Sequence, residues 1–97
     1  MATRLKDSMD LESENSSAGL VPALDRSLDI LELLSSTDHG LTLSALSQQL
    51  NLPKNAVFRI TQTMLARGYL DRDAKTLEFV ITPKLMRLAT ARSSRKS

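Results

Sequence analysis

The sequence predicts a mainly α-helical domain with a small β-hairpin: a winged helix-turn-helix, with a three-helix core, a wing and then a linker helix. Three observations carry this. Two helical stretches are separated only by the break Asn51-Leu52-Pro53, as in a helix-turn-helix. The second of them ends at Gly68 and is followed at once by two short β-type runs around a turn. Aromatic residues make up only 3% of the chain, fewer than a sheet sandwich or barrel needs.

Ninety-seven residues suit one small domain. Residues 1–19 read as a disordered N-terminal lead, polar and charged and ending in a Ser/Asn/Gly-rich stretch. Residues 20–82 form the winged domain, 83–91 a linker helix, and 92–97 a flexible basic tail.

The first helix is expected from about Leu24 to Ser36, with Pro22 suited to its start. Its apolar residues, Leu24, Leu28, Ile30, Leu31, Leu33 and Leu34, cover an arc of roughly 220°, about twice what one small core requires. The surplus is assigned to Ile30 and Leu33, and a homodimer contact is expected at Leu24, Ile30 and Leu33. Thr37 to Gly40 is a loop, and Leu41-Thr42-Leu43 has the composition of a very short strand. Ser44 is the expected cap of a second helix, Ala45 to Leu50, with Leu46 and Leu50 as its buried stripe.

The third helix is expected from Pro53 to Arg67, closed by Gly68. Val57, Ile60, Thr61, Met64 and Leu65 form its apolar stripe. The other face is unusual for a merely solvated helix. It is made of Asn55, Phe58, Arg59, Gln62, Thr63 and Ala66, carries no acid, and has Asn55, Phe58, Arg59 and Gln62 as its candidate reading groups. These are the groups that read base edges in a major groove: Arg for guanine, Asn or Gln for adenine, an apolar ring for the thymine methyl. A hairpin from Tyr69 to Ile81 follows, with Arg72 and Lys75 near its tip. Thr82 then caps a fourth helix that begins at Pro83, with Leu85, Leu88 and Ala89 on one face.

Charge follows the same division. Residues 54–97 hold ten Lys or Arg against three acids, a net +7, whereas residues 1–22 carry −2 and residues 23–53 carry −3. Such a basic half is the electrostatic footprint of a polyanion binder, nucleic acid first. Phosphate contacts are expected from Lys54 at the start of the third helix, from Ser44 and Gln48 on the second, from Arg26 on the first and from Arg72 and Lys75 on the wing. Arg26 borders the apolar arc, so an ion pair is the alternative for it.

Four segments resemble the DNA-binding domain of IclR-type bacterial transcription regulators. They are Val21 to Leu31, with its Arg followed by an Ile-Leu pair; Gly40-Leu41-Thr42-Leu43-Ser44; Leu52-Pro53-Lys54-Asn55-Ala56-Val57-Phe58-Arg59; and Arg67-Gly68-Tyr69-Leu70. The similarity spans about residues 21–90. Asn55 and Ala56 replace the family's usual Ser-Thr, and Phe79 stands where it often has Tyr. The resemblance implies sequence-specific binding of double-stranded DNA in the cytoplasm, as a homodimer on a near-palindromic operator. It also implies a larger effector-binding domain, which is absent from these residues.

Other classes fare worse. Without cysteine there is no disulfide scaffold, thiol nucleophile or thiolate metal site. His39 is the only histidine and lies in a loop without the spacing of metal ligands. There is no Gly-x-Ser-x-Gly, Gly-x-Gly-x-x-Gly or Walker-type segment. No enzymatic activity, cofactor or metal is therefore expected. No apolar run is long enough to span a membrane. The alternatives are a winged-helix protein-interaction module, which would more often put acids or apolar groups on the third helix, and a regulator of another winged-helix family such as the MarR type.

Overall fold

The structure is a computed structural model that describes residues 19–96. The expected lead at residues 1–18 lies outside the described residues. Four helices and one hairpin follow in order: α1 (Pro22–Ser35), α2 (Leu43–Leu50), α3 (Lys54–Ala66), β1 (Leu70–Arg72), β2 (Phe79–Ile81) and α4 (Pro83–Lys96). The fold is the winged helix that the sequence predicts.

Helix α1 begins on Pro22, whose missing N–H is no loss in a first turn. Helix α2 starts two residues earlier than expected. Its cap is Thr42 rather than Ser44: the Thr42 hydroxyl accepts from the Ala45 N–H at 3.1 Å. Asn51 closes α2 in the left-handed conformation, at φ 55°, which asparagine tolerates better than most residues. Three residues later α3 begins. It ends at Ala66, with Gly68 just beyond at φ +86°.

The core is Ile30 and Leu34 from α1, Leu46 from α2, Val57, Ile60 and Met64 from α3, Leu70 and Phe79 from the hairpin, and Leu41. Phe79, Ile30, Leu46, Leu70 and Val57 are all but completely buried. Each contributes on the order of 1.5–3 kcal/mol by leaving water. Thr61, buried among them, satisfies its hydroxyl by donating to the Val57 carbonyl one turn back at 2.9 Å.

Strands β1 and β2 are antiparallel, with Leu70 opposite Ile81, Asp71 opposite Val80 and Arg72 opposite Phe79. The short strand expected at 41–43 reduces to a single bridge. Leu41 exchanges both backbone hydrogen bonds with Phe79, at 2.7 and 3.2 Å, and Leu43 is already helical. This close approach explains Gly40, where a Cβ would sit 2.5 Å from the Phe79 carbonyl oxygen.

Helix α4 is tied to the body through its first turn. Thr82 donates its hydroxyl to the Gly68 carbonyl (2.6 Å) and its N–H to Tyr69 (3.0 Å). The same hydroxyl accepts from the Lys84 N–H, as the cap expectation required. Lys84 reaches back to the Arg67 carbonyl at 2.6 Å, its ammonium over the Tyr69 ring. Beyond that turn Met86, Leu88 and Ala89 are exposed. The helix runs to Lys96, five residues past its expected end at Ala91, so most of the expected tail is helical.

Candidate nucleic-acid interface

Helix α3 sorts its side chains cleanly. At about 100° per residue, Val57, Ile60, Thr61 and Met64 centre on one side, and Asn55, Arg59 and Gln62 lie within about 60° of one another on the opposite side. All three are exposed. Phe58 stands on the flank and remains 48% exposed, an apolar ring left in solvent beside amides and a guanidinium. The four residues expected to read bases therefore share one outward surface. Thr63, on this face as the sequence predicts, stands at its edge next to Arg59 and donates its hydroxyl to the Arg59 carbonyl (3.0 Å).

Lys54 is exposed in the first turn of α3, beside the helix's unpaired amides. Ser44 and Gln48, four apart on α2, are exposed too.

Between the N-terminal half of α1 and the flank of α3 lies a groove of about 510 Å³. Leu24, Ile60 and Met64 give it apolar walls, and Arg26 and Arg59 both line it. None of its lining residues is acidic. Arg59 thus stands on the border between the groove and the outward face of α3. Arg26 is half-buried there and lines the same groove as Arg59.

On the wing the two expected cations differ. Arg72 folds back over its own hairpin, its guanidinium 4.7 Å from the Phe79 ring centroid and its Nε donating to the Leu77 carbonyl at 3.1 Å. Lys75 sits at the exposed tip. The tip is shaped by Asp73. Its carboxylate accepts the backbone N–H groups of Thr76 (2.8 Å) and Lys75 (2.7 Å), which hold its pKa below the ordinary carboxylate range. Leu77 follows at φ 64°, an unusual conformation for a leucine, with its N–H bonded to the Asp73 carbonyl (2.8 Å).

The expected dimer residues separate. Ile30 is fully buried in the chain's own core, which removes it as an intersubunit contact. Leu33 is half-buried against the same core. The surplus of the apolar arc lies at its other edge, where Val21, Leu24 and Leu28 are 63%, 59% and 48% exposed. Periodicity gives the width of an arc; the packing of β2 and α2 decides which part of it is covered.

Among the described residues no group of three or more His, Cys, Asp or Glu is placed to hold a metal ion. No described helix is long and apolar enough to cross a membrane.

A helix-turn-helix with a wing, presenting Arg, Asn and Gln on an acid-free third helix, defines a DNA-binding domain of the transcription-regulator class. Residues 23–74 match the IclR helix-turn-helix domain, and the chain belongs to that family. It is 36% identical over 74 residues to the HTH-type transcriptional regulator BhcR of Paracoccus denitrificans, covering 76% of this chain and 26% of that protein. Among solved structures it resembles an IclR family transcriptional regulator from Brucella abortus, with 30% identity, a TM-score of 0.70, and coverage of 90% of this chain and 32% of that one. It also resembles the Agobacterium tumefaciens repressor BlcR, with 30% identity, a TM-score of 0.66, and coverage of 81% and 30%. The chain therefore spans about a quarter to a third of the length of these relatives and corresponds to the DNA-binding domain of an IclR-type regulator. The family is one of transcription regulators, not of enzymes.

Proposed function

We propose that α3 lies in the major groove of double-stranded DNA, with Asn55, Phe58, Arg59 and Gln62 toward the base edges. The observation that carries this is the clustering of these four exposed side chains on the face of α3 turned away from the core, with no carboxylate among them. Lys54, Ser44 and Gln48 approach phosphates on one side of the groove, and Arg26 approaches them along the edge it shares with Arg59. Lys75 meets the backbone flanking the site from the tip of the wing. Arg72 adds its exposed terminal nitrogens while its Nε braces the hairpin.

The domain acts without a catalytic step, in the cytoplasm, as part of a regulator that binds DNA as a homodimer. The dimer contact is the strip Val21, Leu24 and Leu28, whose exposure and i, i+3, i+7 spacing support it. Two-fold symmetry then makes the operator a near-palindrome, with half-sites about one helical turn or a multiple of it apart. Selection of bound sequences from a random duplex pool tests the reading and supplies the site. A conserved half-site is expected, with affinity falling steeply as salt rises because each neutralised phosphate releases counterions. Absence of saturable duplex binding at low salt would favour the protein-interaction alternative.

A further inference from the structure

The groove between α1 and α3 places two guanidinium-bearing residues, Arg26 and Arg59, among apolar walls, with no carboxylate in its lining. The chain itself holds a segment of complementary chemistry a few residues upstream in sequence. Residues 7–14, Asp-Ser-Met-Asp-Leu-Glu-Ser-Glu, carry four acids and no cation. In an extended conformation Asp10, Glu12 and Glu14 fall on one side and Met9 and Leu11 on the other. Eight residues lie between Glu14 and Ala23, where the groove begins, and of these Gly19 to Pro22 are already held in the turn and first residue of α1. The five steps from Glu14 to Gly19 reach at most about 17 Å, close to the roughly 20 Å of the 13-residue α3.

We infer that residues 7–14 dock in the α1–α3 groove as an intramolecular competitor for DNA. The acids meet Arg26 and Arg59, and Met9 and Leu11 lie on the Ile60 and Met64 walls. Because Arg59 borders both the groove and the base-reading face, it serves either the arm or the duplex, so the arm weakens DNA binding. Tethering gives the segment an effective concentration in about the millimolar range, enough for a weak contact to matter. The competition is electrostatic and fades with salt. It rests on the reading of α3 as the DNA-binding helix; the docking itself does not.

Two measurements on the 97-residue chain and on a D7N/D10N/E12Q/E14Q variant test this. In the first, amide and Arg side-chain NMR shifts are compared without DNA. Docking predicts changes confined to the groove, around Arg26, Ala56, Arg59 and Thr63, that are independent of protein concentration and reproduced when a peptide of residues 5–16 is added to a chain lacking 1–17. In the second, fluorescence anisotropy follows binding to a duplex of arbitrary sequence. The variant is expected to bind about 5- to 10-fold more tightly near 50 mM salt and within about 2-fold of the parent near 200 mM. Groove shifts without any DNA binding by either chain would uphold the docking and remove the DNA reading. Tighter DNA binding with unchanged groove shifts would mean general repulsion and overturn the docking. Shifts that grow with protein concentration would place a second copy in the groove and overturn it as well.

Discussion

Arg72 and Phe79 face each other across the wing as a register pair, and the Arg72 guanidinium lies 4.7 Å from the centre of the Phe79 ring. One side of that ring belongs to the core, where Phe79 is 99% buried and bridged to Leu41; the other is roofed by a cation. The wing is therefore welded to the helical body at the residue that also fixes its charged surface. Arg72 therefore braces the wing as well as charging it, whereas Lys75 supplies charge from the exposed tip.

Arg72→Ala is expected to lower stability by about 0.5–1.5 kcal/mol, since it removes an exposed cation–π contact and the bond to Leu77. Lys75→Ala is expected to leave stability within about 0.5 kcal/mol of the parent and to shallow the log–log salt slope of DNA binding by about one. Urea denaturation and anisotropy at several salt concentrations measure both. A steeper stability loss for Lys75→Ala than for Arg72→Ala would reverse the assignment.

At the base-reading face, Arg59→Ala is expected to weaken binding to the selected site by about 1–3 kcal/mol and to relax the preference at one base position. Gln62→Ala should act at a different position. The check is repeated pool selection with each variant. An Arg59→Ala protein that retains both affinity and preference would show that α3 does not read the groove through this side chain.

Ile30 and Leu24 should part company. Ile30→Ala empties a fully buried site and is expected to destabilise the fold by about 2–5 kcal/mol. Leu24→Glu, on the exposed strip, should change monomer stability by no more than about 0.5 kcal/mol and shift light scattering toward monomer. If the parent chain is monomeric at every concentration, the strip is not a dimer contact of this domain.

The pH dependence of the wing turns on Asp73. Backbone N–H groups of Thr76 and Lys75 favour its ionised form, so its folded pKa lies below the unfolded value near 3.9. A group depressed in this way stabilises the fold above the unfolded pKa, and that contribution is lost as pH falls through the folded one. As pH falls below about 4, Asp73→Asn should lose less stability than the parent. Thermal denaturation across that window gives the comparison, and parallel acid limbs for the two proteins would rule out a role for the Asp73 turn.

The sequence by itself determined the order of elements, the turn at Asn51, the glycine that ends α3, the hairpin, and the acid-free face of α3. These are local matters: periodicity of 3.6 or 2, residues that accept left-handed backbone, and prolines that suit a first turn. It also carried the clustering of Asn55, Phe58, Arg59 and Gln62, because residues three and four apart on a long helix share a face whatever packs behind them. Tertiary structure decided what depends on neighbours distant in the chain. Six apolar residues on α1 left open which edge of the arc was covered, until Phe79 and its strand packed beside Ile30 and left Leu24 and Leu28 outside. Two hydroxyls stood near the start of α2, and Thr42 became the cap because the Leu41–Phe79 bridge holds the preceding backbone extended until Leu43. Arg72 looked like a free cation in the sequence, and only the cross-strand register with Phe79 turned it into a brace. Arg26 and Arg59, 33 positions apart, share a groove solely because the fold sets α1 and α3 on its two sides. Spacing along the chain says nothing of such pairs, since their proximity is created by burial of the core between them.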